Sequence, residues 1–281
     1  MRAAAGTAGR GDGHHGVVTD TSPDETIAQA AASNGLGQRF AFIYGILGSV
    51  VVAAIVGLVI VVRQPGPPKA QPWSTWRPGH GSASAVTQQI ADHVASRYRI
   101  SASGGQLVTI IPGAPELTQG TKIADVSTIG IRVSPSSSIF SRIVPTTGAI
   151  EEQLCGLGTV CSIPSGKSTP GRERLLRREA LEVALYTFKY VPSVSAVIAY
   201  LPPAAGQTPT TVLYLEKANL RQQLSEPLSK TLPLGTPPLP TTPDPKESAA
   251  IDRLTLPVEY RFGYESIGKD TEALILTPTS F

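Results

Sequence analysis

The longest apolar run of the chain lies between two arginines near its N-terminus. Residues 40–62 have the sequence FAFIYGILGSVVVAAIVGLVIVV, contain no Asp, Glu, Lys, Arg or His, and are bounded by Arg39 and Arg63. At about 1.5 Å rise per residue, a helix of this length reaches roughly 34 Å, which exceeds the hydrocarbon thickness of about 30 Å. The pattern therefore predicts one transmembrane helix over residues 40–62.

A cleaved signal peptide is the alternative interpretation of this run. A polar segment of 39 residues precedes it, whereas a signal peptide has a short, positively charged segment followed by an apolar region of about 7–15 residues. The sequence that follows, Arg63-Gln-Pro-Gly-Pro-Pro, contains no small-x-small cleavage site. We therefore expect an uncleaved anchor.

The segments around the run differ in composition from the rest of the chain. Residues 1–39 have no apolar periodicity, so we expect a disordered tail. Residues 63–83 are rich in Pro and Gly, which predicts an extended stalk. A second proline-rich piece, residues 232–246, predicts an extended strap on the surface of the following domain.

Residues 84–281 carry alternating helical and strand-like patterns. Val86, Ile90 and Val94 share one face of a helix predicted to end near Arg99. A longer helix is predicted from Pro170 to about Tyr190, with Thr169 as its N-cap. Strand patterns cover residues 107–111, 126–133, 194–201, 211–216, 254–262 and 272–277. This order of elements predicts an α+β domain with a mostly antiparallel sheet covered on one side by helices.

Cys155 and Cys161 are the only two cysteines, and the five residues GLGTV separate them. The two glycines of this segment allow a short loop to close without backbone strain. The spacing predicts a local disulfide and therefore an oxidising compartment. Two unpaired buried thiols in a cytosolic domain are the alternative.

The charges beside the span oppose the orientation that the cysteines indicate. Arg39 lies on the N-terminal side, whereas Arg63, Lys69 and Arg77 follow the span, and positive charge favours the cytoplasmic side. Long domains cross the membrane largely regardless of flanking charge. We therefore expect a single-pass protein of the cell membrane with a cytoplasmic N-terminus and its C-terminal domain outside.

Small residues recur at every fourth position of the predicted span. Such a row lets a second helix approach closely, as in small-xxx-small interfaces. We call the following five residues the small-residue ridge: Ala41, Gly45, Ser49, Ala53 and Gly57. The ridge predicts self-association or contact with the span of another membrane protein.

Four arginines lie in the opening turns of the predicted long helix, where positive charge opposes the helix dipole. They are Arg172, Arg174, Arg177 and Arg178. One interpretation is a patch that binds anionic lipid headgroups or an acidic partner. A solvated helix face is the other.

Sequence motifs of known catalytic chemistry are missing or incomplete. The chain has no H-E-x-x-H, C-x-x-C or G-x-S-x-G. The segment Ser165–Thr169 resembles the end of a phosphate loop, but Cys161 stands where that loop requires its first glycine. Ser266-Ile-Gly-Lys269 matches S-x-x-K, yet it falls in a turn between predicted strands rather than at a helix start.

The overall charge and composition limit the classes of function. The net charge of +3 is too small to indicate nucleic-acid binding, and abundant Ala and Arg are typical of a bacterial genome rich in G and C. We expect a non-enzymatic protein without metal or cofactor, whose outer domain binds or scaffolds other components of a bacterial envelope. The alternative is an envelope hydrolase whose site is assembled from distant residues such as His80, His93 and Ser266.

Overall fold

The structure is a computed structural model that describes residues 35–63, 71–119, 122–164 and 168–279. The chain forms two compact units, Met1–Lys69 and Ala70–Phe281. Most of the predicted disordered tail, the stalk residues 64–70 and most of the phosphate-loop-like segment lie outside the described residues.

The first unit contains one described helix, α1 (Gly35–Arg63). Its segment Ile43–Ile60 has a mean hydropathy of 2.6, and every residue of that segment is exposed. An exposed apolar helix of this length is consistent with a membrane span or a signal sequence.

The described strands of the second unit form one sheet. The strands are β1 (Thr109–Gly113), β2 (Glu116–Gln119), β3 (Lys122–Arg132), β4 (Phe140–Pro145), β5 (Ala149–Cys155), β6 (Ala196–Tyr200), β7 (Thr211–Glu216), β8 (Glu259–Gly268) and β9 (Thr271–Pro278). Their order is β1-β5-β6-β7-β8-β9-β3-β2, and β4 pairs with β3. The pairs β5–β6 and β3–β9 are parallel, and the other pairs are antiparallel.

The sheet curls into a nearly closed barrel because β1 and β2 follow each other along one bent stretch of chain. Only Ala114 and Pro115 separate these strands, yet β1 pairs with β5 and β2 pairs with β3, at opposite ends of the strand order. The N–H of Val126 donates to the carbonyl of Pro115 at 3.0 Å and ties the bend to β3.

The predicted α+β class is therefore confirmed, and most strand pairs are antiparallel as expected, but the closure of the sheet was not predicted. The sheet is mixed and nearly closed, and its two faces pack on two different cores. Side chains that point into the barrel form the first core. Its buried members are Val126, Ile129, Ile131, Ala196, Ile198, Tyr200, Val212, Tyr214, Leu274 and Leu276.

Helices cover the outer face of the barrel and form the second, larger core. They are α2 (Ala83–Ala95), α3 (Pro170–Tyr190), α4 (Arg221–Ser225), α5 (Leu228–Thr231) and α6 (Pro245–Thr255). The start of α3 is as predicted, because the Thr169 hydroxyl accepts from the N–H of Arg172 and Pro170 occupies the first turn. Helix α6 was not predicted, and it replaces the beginning of the strand expected at 254–262.

The compact unit begins earlier than the predicted boundary at residue 84. Trp73 is buried in the helix-side core, and its carbonyl accepts from the N–H of Leu228 at 2.6 Å. The ring of Trp76 stacks on His93 with 3.9 Å between the ring centroids. The second half of the predicted stalk is thus part of the folded domain.

A conformational requirement at Gly148 can be tested against a matched glycine. Gly148 and Gly206 have φ angles of 77° and 78°, but an added Cβ would lie 2.8 Å from Ser195 Oγ at Gly148 and meet nothing within 4 Å at Gly206. We expect Gly206→Ala to cost about 1 kcal/mol of unfolding free energy through the positive φ alone. Gly148→Ala should cost roughly 2–4 kcal/mol because the steric conflict adds to it.

Chemical denaturation of the full-length protein in detergent measures both costs. Equal losses of stability in the two variants would contradict the steric role assigned to the Gly148 turn.

Candidate functional site

A cavity of about 640 Å³ opens at one end of the barrel. We call it the barrel mouth. Its walls include Val144 and Ala149 from the hairpin between β4 and β5, Ala196 at the start of β6, Tyr214 near the end of β7, and Leu224 on α4. The volume lies within the range of about 300–1,000 Å³ that is typical of ligand pockets, which often occupy the mouths of barrels.

Hydrogen bonds around Ser195 fix the rim of the barrel mouth. Its N–H donates to the carbonyl of Gly148 at 2.8 Å, and its own carbonyl accepts from the N–H of Lys217 at 2.9 Å. Ser195 therefore joins the β4–β5 hairpin to the end of β7. Because backbone atoms make these contacts, the position of the rim does not depend on mobile side chains.

An ion pair bridges β4 and β7 beside the cavity. Arg142 donates to Glu216 at 2.7 Å, and its guanidinium lies 5.9 Å from the ring centroid of Tyr214. Asn219 donates to the same carboxylate at 3.3 Å. Burial, followed by the charge of Glu216, raises the pKa of Tyr214 to about 12, so its hydroxyl stays protonated at neutral pH.

Two further cations line the barrel mouth. Lys217 lies in the 3-10 turn Lys217–Leu220, and Arg221 begins α4, four residues later. Within the described part of the chain, neither side chain makes a hydrogen bond or an ion pair. These two cations outnumber Glu216, the one carboxylate among the residues that line this cavity, and Glu216 is itself paired with Arg142 beside it, so the lining has an excess of positive charge.

A second cavity, of about 350 Å³, lies between α2, α3 and the chain around Leu232–Gly235. Its charged groups are paired with one another, although Arg178 Nε and Glu247 Oε2 are buried without a hydrogen-bond partner among the described residues. Arg178 donates to Glu182 at 3.0 Å, to Glu247 at 2.9 Å and to the hydroxyl of Tyr98. The side chains of the three charged residues are at most 2% exposed. These buried ion pairs form an internal network that joins α3 to α6, which is typical of a structural role and not of a ligand site.

The same geometry corrects the interpretation of the four arginines as an exposed patch. Arg174 donates to both carboxylate oxygens of Asp252, at 2.7–3.0 Å. Arg177 contacts Asp252, Thr255 and Glu259. Residues Arg172, Arg177 and Arg178 are buried. The unpredicted helix α6 provides the acids that hold Arg174, Arg177 and Arg178, so the opening of α3 faces protein. Hydrogen bonding from Arg174 is the main cause of a lowered pKa at Asp252.

Three carboxyl groups lie in apolar surroundings. Glu152 is fully buried on the helix side of β5, and neither of its oxygens has a hydrogen-bond partner among the described residues. Burial raises the pKa of Glu152 to about 8 and that of Glu151, its neighbour in β5, to about 7. Burial also raises the pKa of Glu179. Glu152 and Glu179 therefore favour the protonated state and are fully buried, whereas Glu151 is half-buried and accepts from the N–H of Glu116 at 3.4 Å.

The predicted disulfide is present in the structure. Cys155 ends β5, and its sulfur is bonded to that of Cys161 at 2.03 Å. The loop closes tightly, because the N–H of Gly156 donates to the carbonyl of Cys161 at 2.8 Å. A Cβ at Gly156 would lie 2.3 Å from the carbonyl oxygen of Ser162, so the approach requires glycine.

The residues suggested for a hydrolase are not brought together as a nucleophile and base. Ser266 lies on β8 and donates to the carbonyl of Gly268 at 3.3 Å. His93 lies on α2, which packs on β1 and α3, and stacks on Trp76. His80 is exposed before α2. In the described ranges, no group of three or more His, Cys, Asp or Glu could hold a metal ion.

The small-residue ridge lies on α1, and its described side chains are exposed. Gly45, Ser49, Ala53 and Gly57 are exposed, and a Cβ added at Gly45 or Gly57 would meet nothing within 4 Å. The side chain of Ala41 is outside the described residues. The association of this ridge with another helix stays a prediction.

The sequence interpretation missed the residues of the barrel mouth. Arg142, Glu216, Lys217 and Arg221 are single charges on different elements, and no motif marks them. One signal was available: Lys217 and Arg221 stand four residues apart directly after a strand, a spacing that places two cations on one side of a helical turn.

No family model matches the chain, and no curated protein and no solved structure matches it either.

The burial of Glu152 predicts a pH dependence of stability. Its pKa of about 8 in the folded protein lies above the ordinary value of 4.5. The resulting stabilisation is complete below pH 4.5 and is lost as the pH rises through 8. Glu151 and Glu179 act in the same direction. We expect the wild-type unfolding free energy to fall between about pH 5 and pH 9, by an amount on the order of a few kcal/mol.

Glu152→Gln should reduce this fall in unfolding free energy, because a glutamine side chain has no carboxyl proton to lose as the pH rises. Urea denaturation of the full-length protein at the two pH values measures the effect, and Glu226→Gln, which changes an exposed carboxylate, serves as the matched control. A fall in Glu152→Gln as large as that in wild type would show that this carboxyl is not the cause.

Proposed function

We propose that this protein is a membrane-anchored binding protein of the bacterial cell envelope, with its barrel domain outside the membrane and the barrel mouth as its ligand site. The observation that carries the binding role is the barrel mouth itself. It combines apolar walls, a rim fixed by backbone hydrogen bonds and two cations without partners among the described residues. Such a combination of apolar surface with a few placed polar groups is typical of ligand sites.

Two further observations support the location. The exposed apolar segment Ile43–Ile60 suits a membrane anchor. The Cys155–Cys161 disulfide suits an oxidising compartment and therefore a domain outside the cytoplasm. On this proposal the N-terminal tail is cytoplasmic, and the apolar helix is retained in the mature protein.

Labelling of introduced cysteines in intact cells tests the orientation. Ala218 is exposed at the barrel mouth, so Ala218→Cys should react with a membrane-impermeant maleimide without permeabilisation. Gly6→Cys, in the N-terminal tail, should react only after the membrane is opened. The reverse pattern would place the domain in the cytoplasm and contradict the proposal, and wild-type protein without reductant provides the background of the native cysteines.

We further propose that the small-residue ridge packs against a second span, either of another copy or of a partner protein. Gly45→Ile with Gly57→Ile should at least halve the yield of crosslinked species in membranes, because the larger side chains keep the helix backbones apart. Val51→Phe with Ala54→Ile adds comparable bulk on the opposite side of the helix and is the control. Equal crosslinking in both double variants would remove the ridge from the interface.

A further inference from the structure

We infer that the barrel mouth binds an anionic amphiphile, a molecule with an apolar tail and a carboxylate or phosphate head, and that Lys217 and Arg221 hold the head. This inference rests on the proposed function, because it names the ligand class for the same cavity.

The walls of the barrel mouth suit an apolar tail. Ala149 and Ala196 have short side chains at the starts of their strands, and Val144 and Leu224 flank them. Val144 and Tyr214 also pack into the barrel core, so the apolar surface continues from the cavity to the interior. A tail placed there would remove apolar surface of both molecules from water.

The cations at the edge of the cavity suit an anionic head. The Glu216 carboxylate already accepts hydrogen bonds from Arg142 and Asn219, so it is engaged and partly neutralised. Lys217 and Arg221 have no partner among the described residues, although they border an apolar cavity. A carboxylate or phosphate between them would form charge-assisted hydrogen bonds, which are stronger than neutral ones. A neutral or cationic amphiphile of the same length would gain no such bonds.

The combination favours an amphiphile over a free anion. An anion alone would engage the two cations but would leave the apolar walls in water. The proposed membrane anchor adds a reason, because it would place the domain where amphiphiles with acidic heads are abundant.

Site-specific photolabelling tests the inference on the full-length protein with its disulfide intact, reconstituted in nanodiscs of zwitterionic lipid. Three probes share one alkyl chain with a terminal diazirine and differ only in the head: a carboxylate, a phosphate and a neutral alcohol. Mass spectrometry then measures the labelled fraction of each peptide. We expect the two anionic probes to label residues 144–149 and 195–196, and the alcohol to label them about tenfold less. The ratio between carboxylate and phosphate identifies the preferred head, and inorganic phosphate alone should compete weakly.

Two pairs of variants separate recognition of the head from occupancy of the cavity. Lys217→Gln with Arg221→Gln should lower labelling by the anionic probes at least about tenfold. Lys230→Gln with Arg253→Gln removes two exposed cations elsewhere and should not change it. Thr147→Trp places a large side chain at the exposed rim and should block all labelling of the mouth. Ser138→Trp, at the opposite end of β4, should leave labelling intact. Unchanged circular dichroism and thermal unfolding verify that each variant is folded.

Several results would overturn the inference: equal labelling by the alcohol and the anions, full labelling of the Lys217 and Arg221 double variant, or no labelling of the mouth by any probe. If Thr147→Trp blocks labelling while the two cations prove irrelevant, the mouth is a binding site, but not one for an anionic head. The orientation of the domain is decided separately by cysteine labelling, so a failure of the ligand assignment is distinguishable from a failure of the proposed anchor.

Discussion

The bend at Ala114 and Pro115 is the constraint on which the rest of the domain depends. It divides one stretch of chain between two partners, since β1 pairs with β5 and β2 pairs with β3. Proline has no N–H to donate and a fixed φ, so it interrupts a strand without leaving a donor unpaired. Because the two halves reach opposite ends of the strand order, the sheet must curl. The curl creates an enclosed interior and, at its end, an open mouth.

Helix α3 stabilises the closed sheet from outside. It connects β5 to β6, which are parallel and therefore require a crossover. Most of its residues from Arg172 to Phe188 are buried, including several charged ones. A charge can remain in such a place only if it is paired or neutralised. Arg178 is paired with Glu182 and Glu247, whereas burial favours the protonated form of Glu179. The helix therefore has no exposed basic face to offer.

Within the part of the chain that the structure describes, these two features favour the barrel mouth as the site of the proposed ligand. Arg174, Arg177 and Arg178 of α3 form ion pairs within the domain. The side chains of Lys217 and Arg221 at the mouth have no such partner among the described residues. The exposed apolar helix and the disulfide agree with a protein held at a membrane with its folded part in an oxidising compartment. An apolar cavity bordered by cations that are unpaired within the described part of the chain suits the proposed binding of an anionic amphiphile, and such binding requires no catalytic group.

The sequence by itself determined the elements that depend on local signals. The apolar run is long enough to be recognised alone, and Thr169 with Pro170 fixes the start of α3 through capping chemistry that needs no tertiary contact. The two runs around residues 202–209 form the predicted hairpin β6–β7, and two cysteines six positions apart form the predicted ring.

Only the tertiary structure decided the rest, because the deciding forces act between distant residues. Strand β5 was not predicted, and it contains Glu151 and Glu152, yet the fold buries alternate residues of it, Glu152 included. Helix α6 follows a proline-rich stretch that masks its periodicity. Asp252 and Glu247 on this helix pair with arginines of α3, which therefore do not form an exposed patch. The barrel mouth draws residues from separate segments, 142–149, 195–196 and 214–225. Their proximity arises from closure of the sheet, a long-range property that local propensity does not encode.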